Sequence, residues 1–132
     1  MSGVRTLFPS QPTAVAIDDA PAVDLGGGCL RRDLPAPPGV RAWVVEMAPG
    51  SLWPRIDRHD TGEAYFVLAG EVIESDRRFG VGTQVVFAPG SLHRPRTEIG
   101  VRLLGFNLTA EAFLGAGGDP AALVGELHVP QG

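Results

Sequence analysis

The sequence has no lysine: all 11 of its basic residues are arginine, against 15 acidic ones, for a net charge of −4. The basic charge is dispersed, and the tandem pairs Arg31-Arg32 and Arg77-Arg78 are too short to form a basic stripe. This argues against nucleic acid as the main partner, and both pairs read as solvated loop charges. Cysteine is almost missing as well. Cys29 stands alone, which excludes an internal disulfide and any multi-cysteine zinc site. It has no basic neighbour in a motif and reads as an inert thiol. No apolar run approaches the roughly 18 residues of a helical membrane span. Residues 1–12 carry one arginine and lack the apolar stretch of about 7–15 residues that a signal peptide needs. The expected location is a reducing cytoplasm.

What the chain has in excess is turn formers. Glycine (18) and proline (12) make up almost a quarter of the 132 residues, about twice the usual share. Long helices are therefore not expected, and the chain reads as many short strands within one domain. Residues 1–13 look like a loose arm. Residues 13–18 (TAVAID) form a short strand candidate, and 24–30, with Gly26-Gly27-Gly28, a loop or bulged strand. No Lys-Ser/Thr and no helix follow those glycines, so they do not make a phosphate loop. Residues 40–48 (VRAWVVEMA) are the clearest strand. Apolar runs at 52–56, 64–68, 84–88 and 101–108 follow, separated by turn residues at a spacing typical of sandwiches and barrels. Thr109 caps a short helix over 110–114, one further helical turn is expected near 121–124, and residues 115–132 read as an irregular tail. No internal repeat is visible. The pattern predicts an all-β fold, a small antiparallel sandwich or jelly roll.

The chain has three histidines, and two sit where chemistry is expected. In an extended strand Asp57 and His59 project to the same face. The turn formers Asp60-Thr61-Gly62 can reverse the chain and bring Glu63 back beside them. A second hairpin after Pro89-Gly90 can aim His93 into the same cavity. Buried carboxylates and imidazoles on apolar walls are costly without compensation, and a divalent metal supplies it most economically. Tyr65 and Val67 share parity with Glu63, so Tyr65 can place its hydroxyl near the ligand set, whereas Val67 reads as core. Trp43 and Trp53 read as core or cavity wall. Arg55 and Arg94 flank the two motifs as candidates to hold an anionic substrate group, and Trp53 joins them as a substrate candidate. His128 reads as exposed or at an interface.

These segments resemble the two motifs of the cupin superfamily (the RmlC-like jelly rolls). The first motif is matched by Gly50, Asp57-Arg58-His59, Glu63 and Gly70, the second by Gly82, the strand Val85-Val86-Phe87, Pro89, Gly90 and His93. The phrasing RHDTGEAYFVLAGEV … APGSLHRP is most similar to the branch named after the C-terminal domain of the ChrR anti-sigma factor. The resemblance implies a single-domain double-stranded β-helix with an N-terminal strand arm, its barrel over about 40–108. It implies one divalent metal per chain (Fe2+ favoured; Mn2+, Ni2+ or Zn2+ compatible), held by His59, Glu63, His93 and the residue at position 57. By analogy it also implies a homodimer. Asp57 is a departure, since the family has histidine there. A second is the spacer after Gly50, one residue longer than usual, and the stretch 71–81 between the motifs is short.

Asp57 changes the chemistry. Two neutral imidazoles and two carboxylates cancel the charge of a 2+ ion, which stabilises a higher oxidation state. Oxygen-rich donor sets also favour Fe or Mn over Zn. Asp57 is a ligand, an orienting or proton-accepting group behind the ligands, or the mark of a site that has lost its metal. Three functions follow. The first is a metal-dependent enzyme on a small organic substrate, either of dioxygenase type or a cyclase/isomerase in which a carboxylate moves a proton. In it Glu63, Asp57 and Tyr65 are the candidate catalytic groups. The second is a non-catalytic metal- or ligand-binding sensor, and the third a structural barrel. An anti-sigma role is not expected, because the residues before the first motif hold one cysteine and no histidine.

Overall fold

A computed structural model describes residues 11–123. Alternation of large apolar residues decides which segments pair and which face turns inward. In VRAWVVEM, the strand Val40–Met47, the odd positions Trp43, Val45 and Met47 point into the core. Val101–Leu108 pairs with it in register (Met47 opposite Val101, Val45 opposite Leu103, Trp43 opposite Gly105) and adds Val101 and Leu103 to the same face. Tyr65 and Val67 of the long strand Glu63–Glu74 lie opposite Gly105 and Leu103 and complete that row.

The strands in chain order are β1 Ala22–Gly26, β2 Cys29–Leu34, β3 Val40–Met47, β4 Asp57–His59, β5 Glu63–Glu74, β6 Arg77–Gly80, β7 Gln84–Phe87, β8 Ser91–His93 and β9 Val101–Leu108. One antiparallel sheet runs β1-β2-β3-β9-β5-β6, with β7 also pairing β5, and β4 and β8 form a second, two-stranded sheet. Asp57 and His93 of the small sheet share an apolar-walled space with Trp43, Val45, Tyr65 and Leu103 of the large one. The all-β expectation therefore holds, with one short helix, α1 (Ala110–Gly115), whose first turn is capped by the Thr109 side chain accepting from Ala112 N at 3.2 Å. A 3-10 turn follows at Pro120–Ala122.

The structure refines four local readings. Residues 13–16 form no strand, and Ile17–Asp19 is a 3-10 turn. The triple glycine is the turn of a hairpin: β1 and β2 pair around it, so the sheet begins at Ala22 rather than at 40. Residues 52–56 make one isolated bridge, Leu52 with Arg96, because Pro54 cannot donate to a ladder. The short stretch 71–81 holds a hairpin: β5 runs on to Glu74 and turns back as β6. The arm 1–10, residue 124 and His128 lie outside the described residues.

The length of β5 depends on a bulge. Its register against β9 shifts between Val67 and Ala69. Gly70 there has φ +74°, and a Cβ on it would overlap the backbone of Gly100, so only glycine fits. One extra residue in a strand exchanges its two faces. Before the bulge Tyr65 and Val67 face the core. Beyond it Val72 joins the core, and Glu74, on the same parity, is buried as well.

Candidate metal centre and cavity

Two turns deliver the candidate ligands. β4 and β8 pair so that Asp57 lies opposite His93 and His59 opposite Ser91. The turn after β4 closes with Gly62 N donating to His59 O at 3.1 Å. Gly62 has φ +81°, and a Cβ there would lie 2.8 Å from Phe87 O, so the reversal into β5 needs a glycine. The turn before β8 donates to the same carbonyl, from Gly90 N at 2.8 Å. Glu63, the first residue of β5, and His93, the last of β8, thus arrive beside His59.

The imidazole nitrogens His59 Nε2 and His93 Nε2 are 2.6 Å apart. Glu63 reaches both rings, Oε1 at 3.1 Å from His59 Nε2 and Oε2 at 3.5 Å from His93 Nε2. One ligand atom each from Asp57, His59 and His93 lie within 4.8 Å of one another. Donors that share an ion at about 2.1 Å lie at most about 4.2 Å apart. The two imidazoles and Glu63 lie inside that limit, the imidazole nitrogens closer than two donors on one ion sit, so that a bound ion would spread them slightly; Asp57 belongs to the same cluster. This group could hold a metal ion. Asp57 also accepts from Arg55 Nε at 3.2 Å, which fixes its orientation.

A further carboxylate lies behind these groups. Glu74 is 8% exposed, and its oxygens are 3.0 and 3.1 Å from His93 Nδ1. It also accepts from the Tyr65 hydroxyl at 2.5 Å. A carboxylate at Nδ1 holds the proton there and leaves Nε2 free to turn toward His59 and Glu63. Phe87 packs on His93 with ring centroids 4.2 Å apart and lies 5.8 Å from the Tyr65 ring, closing the apolar side. Burial pushes the His59 pKa down, against the opposing pull of Glu63. Burial would lower His93 too, but its hydrogen bonds to Glu63 and Glu74 outweigh that and raise it to about 9. Of the two rings, His93 is therefore the one its surroundings favour as protonated. Burial, reinforced by Glu74, pushes the Tyr65 hydroxyl far up, so it stays a donor.

The fold and the family become clear at this point. A family model described as the ChrR cupin-like domain matches residues 10–109. The chain belongs to the ChrR cupin-like family. A search of curated proteins finds no match. Among solved structures, a chain of the Rhodobacter sphaeroides complex of SigE with the anti-sigma ChrR is similar at 19% identity and TM-score 0.63, over 80% of this chain and 75% of that one. An RmlC-like cupin from Shewanella frigidimarina is similar at 19% identity and TM-score 0.64, over 79% and 96%. An acetylacetone dioxygenase from Acinetobacter johnsonii is similar at 12% identity and TM-score 0.63, over 76% and 75%. At such identities these likenesses show the cupin fold.

The mouth of this cupin opens into a cavity of about 950 Å³, walled by Trp43, Trp53, Arg31, Arg41 and Asn107 beside Asp57, His59 and Glu63. A space of about 30 Å³, roughly one water's worth, lies deeper between Trp53, Tyr65 and His93. The sequence candidates divide accordingly. Arg55 and Trp53 line the cavity. Arg94 does not: it donates to Trp53 O at 2.8 Å and Pro54 O at 3.2 Å, strapping that loop. Tyr65 places its hydroxyl near the candidate ligands, on Glu74, which in turn meets His93. Trp43 is both core and wall, its Nε1 donating to Asn107 Oδ1 at 3.1 Å. Cys29 is buried with its pKa raised by desolvation. Glu74, Arg31 and Arg41 were not singled out for the site. The signal for Glu74 was Ala69-Gly70, read as a separator rather than as a bulge. Arg31 is no loop charge, because it sits on β2 opposite Val45 and turns with it toward the cavity.

Proposed function

We propose that this chain is a metal-dependent cupin acting on a small organic substrate, of dioxygenase type, with one divalent ion per chain held by Asp57, His59, Glu63 and His93. The observation that carries this reading is the convergence of His59 Nε2, His93 Nε2 and the Glu63 carboxylate on one point beside a cavity large enough for a small substrate. A bound ion supplies Lewis-acid polarisation of a substrate oxygen and, as Fe2+, the chemistry of dioxygen. The neutral sum of two imidazoles and two carboxylates, and the fold shared with an acetylacetone dioxygenase, support Fe2+ and the redox form. A cyclase or isomerase is the second form of the same reading. It is favoured by Asp57, a carboxylate on the cavity wall beside Arg55, placed to take a proton from a substrate.

The protein's own groups then have distinct tasks. Glu63 and Asp57 are the catalytic carboxylates. Tyr65 is a positioning residue that acts through Glu74 on His93. Phe87 keeps water from the back of the imidazoles, and the two tryptophans shape the substrate wall. Elemental mass spectrometry of untagged wild-type protein and His93→Ala tests the reading. Near-stoichiometric metal that is lost in the variant is expected, followed by oxygen uptake if the metal is iron. Bound metal with no turnover of any candidate substrate would leave a sensor. No metal in either protein, and no uptake on addition, would sink the proposal.

A further inference from the structure

The charges on the cavity wall do not balance. Arg55 is paired with Asp57 at 3.2 Å and Arg58 with Asp60 at 3.0 Å, while Glu63 faces the two imidazoles. Arg31 and Arg41 are left over. Arg31 Nε lies 3.3 Å from Asp33 Oδ1, a carboxylate that is 61% exposed and off the cavity, and it is not aligned to donate a hydrogen bond to it. Arg41 is exposed at the mouth, and among the described residues no hydrogen bond or ion pair engages it.

The unsatisfied atoms point the same way. Among the described residues, the buried side-chain polar atoms without a hydrogen-bond partner are Arg31 Nε and Trp53 Nε1. Both are donors, and both belong to residues on this one cavity. Trp53 is 6% exposed. The two segments are neighbours, since Cys29, two residues before Arg31 on β2, donates its thiol to Leu52 O at 3.7 Å. Buried donors without acceptors are costly. With Arg31 paired only to an exposed carboxylate off the cavity and Arg41 unpaired among the described residues, this wall is short of acceptor oxygens and of negative charge.

We propose that the substrate is a small organic acid whose carboxylate is held by the terminal guanidinium nitrogens of Arg31, with Arg41 drawing the anion to the mouth. A planar carboxylate matches the guanidinium fork and accepts two hydrogen bonds at once. This names the substrate class for the metal-dependent reading above and rests on it for catalysis, though not for binding.

The probes are malonate and its neutral counterpart malonamide, titrated by calorimetry into metal-loaded and chelator-treated protein. Malonate is expected to bind at least tenfold more tightly than malonamide to both forms, as charged hydrogen bonds of this kind permit. Arg31→Gln should erase the preference while the melting temperature and metal content stay at wild-type values. Arg41→Gln should weaken malonate less, and its effect should fade with added salt. Equal binding of the two probes, binding of neither, or a preference that survives Arg31→Gln overturns the inference and leaves the metal reading standing. Inorganic phosphate that binds as tightly as malonate overturns the carboxylate assignment. A malonate preference in protein that takes up no metal leaves the inference standing and removes the metal reading.

Discussion

Replacing Glu74 by glutamine changes one oxygen to an NH2 group at constant shape, and the surroundings of Glu74 say what that does. The carboxylate now accepts from two donors, the Tyr65 hydroxyl at 2.5 Å and His93 Nδ1 at 3.0 and 3.1 Å. Glutamine offers one acceptor oxygen and one donor group. If its oxygen stays with Tyr65, the NH2 faces His93 Nδ1 and favours the tautomer with the proton on Nε2, which cannot bind a metal. If its oxygen turns to His93, the NH2 faces the Tyr65 oxygen and the ring keeps a weaker, neutral partner. Either way the imidazole loses basicity and orientation. Changes of this kind typically reduce metal affinity about 10–100-fold, or about 1.4–2.8 kcal/mol. Competition with a chelating dye, using Zn2+ to avoid oxidation, measures the loss, and thermal melts of the metal-free proteins report stability separately. Affinity that stays within about twofold of wild type, with the variant folded, would refute the role given to Glu74 and the tautomer argument with it.

Tyr65→Phe removes one donor from a buried carboxylate and should cost about 1.5–3 kcal/mol of stability, with a smaller loss of metal affinity than Glu74→Gln; melts and the same dye competition separate the two. Gly105→Ala should destabilise by about 1–3 kcal/mol in denaturant titrations, because the added methyl overlaps the Trp43 indole lying across it. Glu46 accepts from Arg32 Nε at 3.0 Å and Arg102 Nε at 2.7 Å. Burial would raise its pKa, yet the two arginines hold it below the ordinary 4.5. Its contribution is therefore present above that value and lost as pH falls through the lowered pKa. Glu46→Gln should destabilise the fold near neutral pH by about 1 kcal/mol, read as a lower melting temperature, and the gap from wild type should close on acidification.

The sequence was readable where local rules decide. Asp57 and His59 sit two apart on a strand, Asp60-Thr61-Gly62 reverses the chain and Pro89-Gly90 does so again, so four candidate ligands fell together on spacing alone. Thr109 announced its helix. The reading failed where tertiary contacts override local pattern. Strict alternation from Glu63 puts Glu74 outside, and only the bulge, forced by Gly70 against Gly100, turns it in. Arg31 looked solvated because the hairpin around Gly26-Gly27-Gly28 hides two strands in a glycine run. Residues 13–18 had apolar alternation but no neighbour to pair with, and a strand without a partner does not form. Arg94 stood next to a candidate ligand, yet it lies just past the end of β8 and is drawn to the carbonyls of Trp53 and Pro54.

The carbonyl of His59 accepts from Gly62 N and Gly90 N together, and this ties assembly of the site to one atom. The turn that positions Glu63 is local to this oxygen, whereas the turn that positions His93 reaches it only when β4 lies beside β8. A fluctuation that moves the oxygen then loosens both turns together. The amide hydrogens of Gly62 and Gly90 should accordingly exchange with solvent at a common rate, set by one opening event, and any ion or ligand that joins the two histidines should slow both to the same degree.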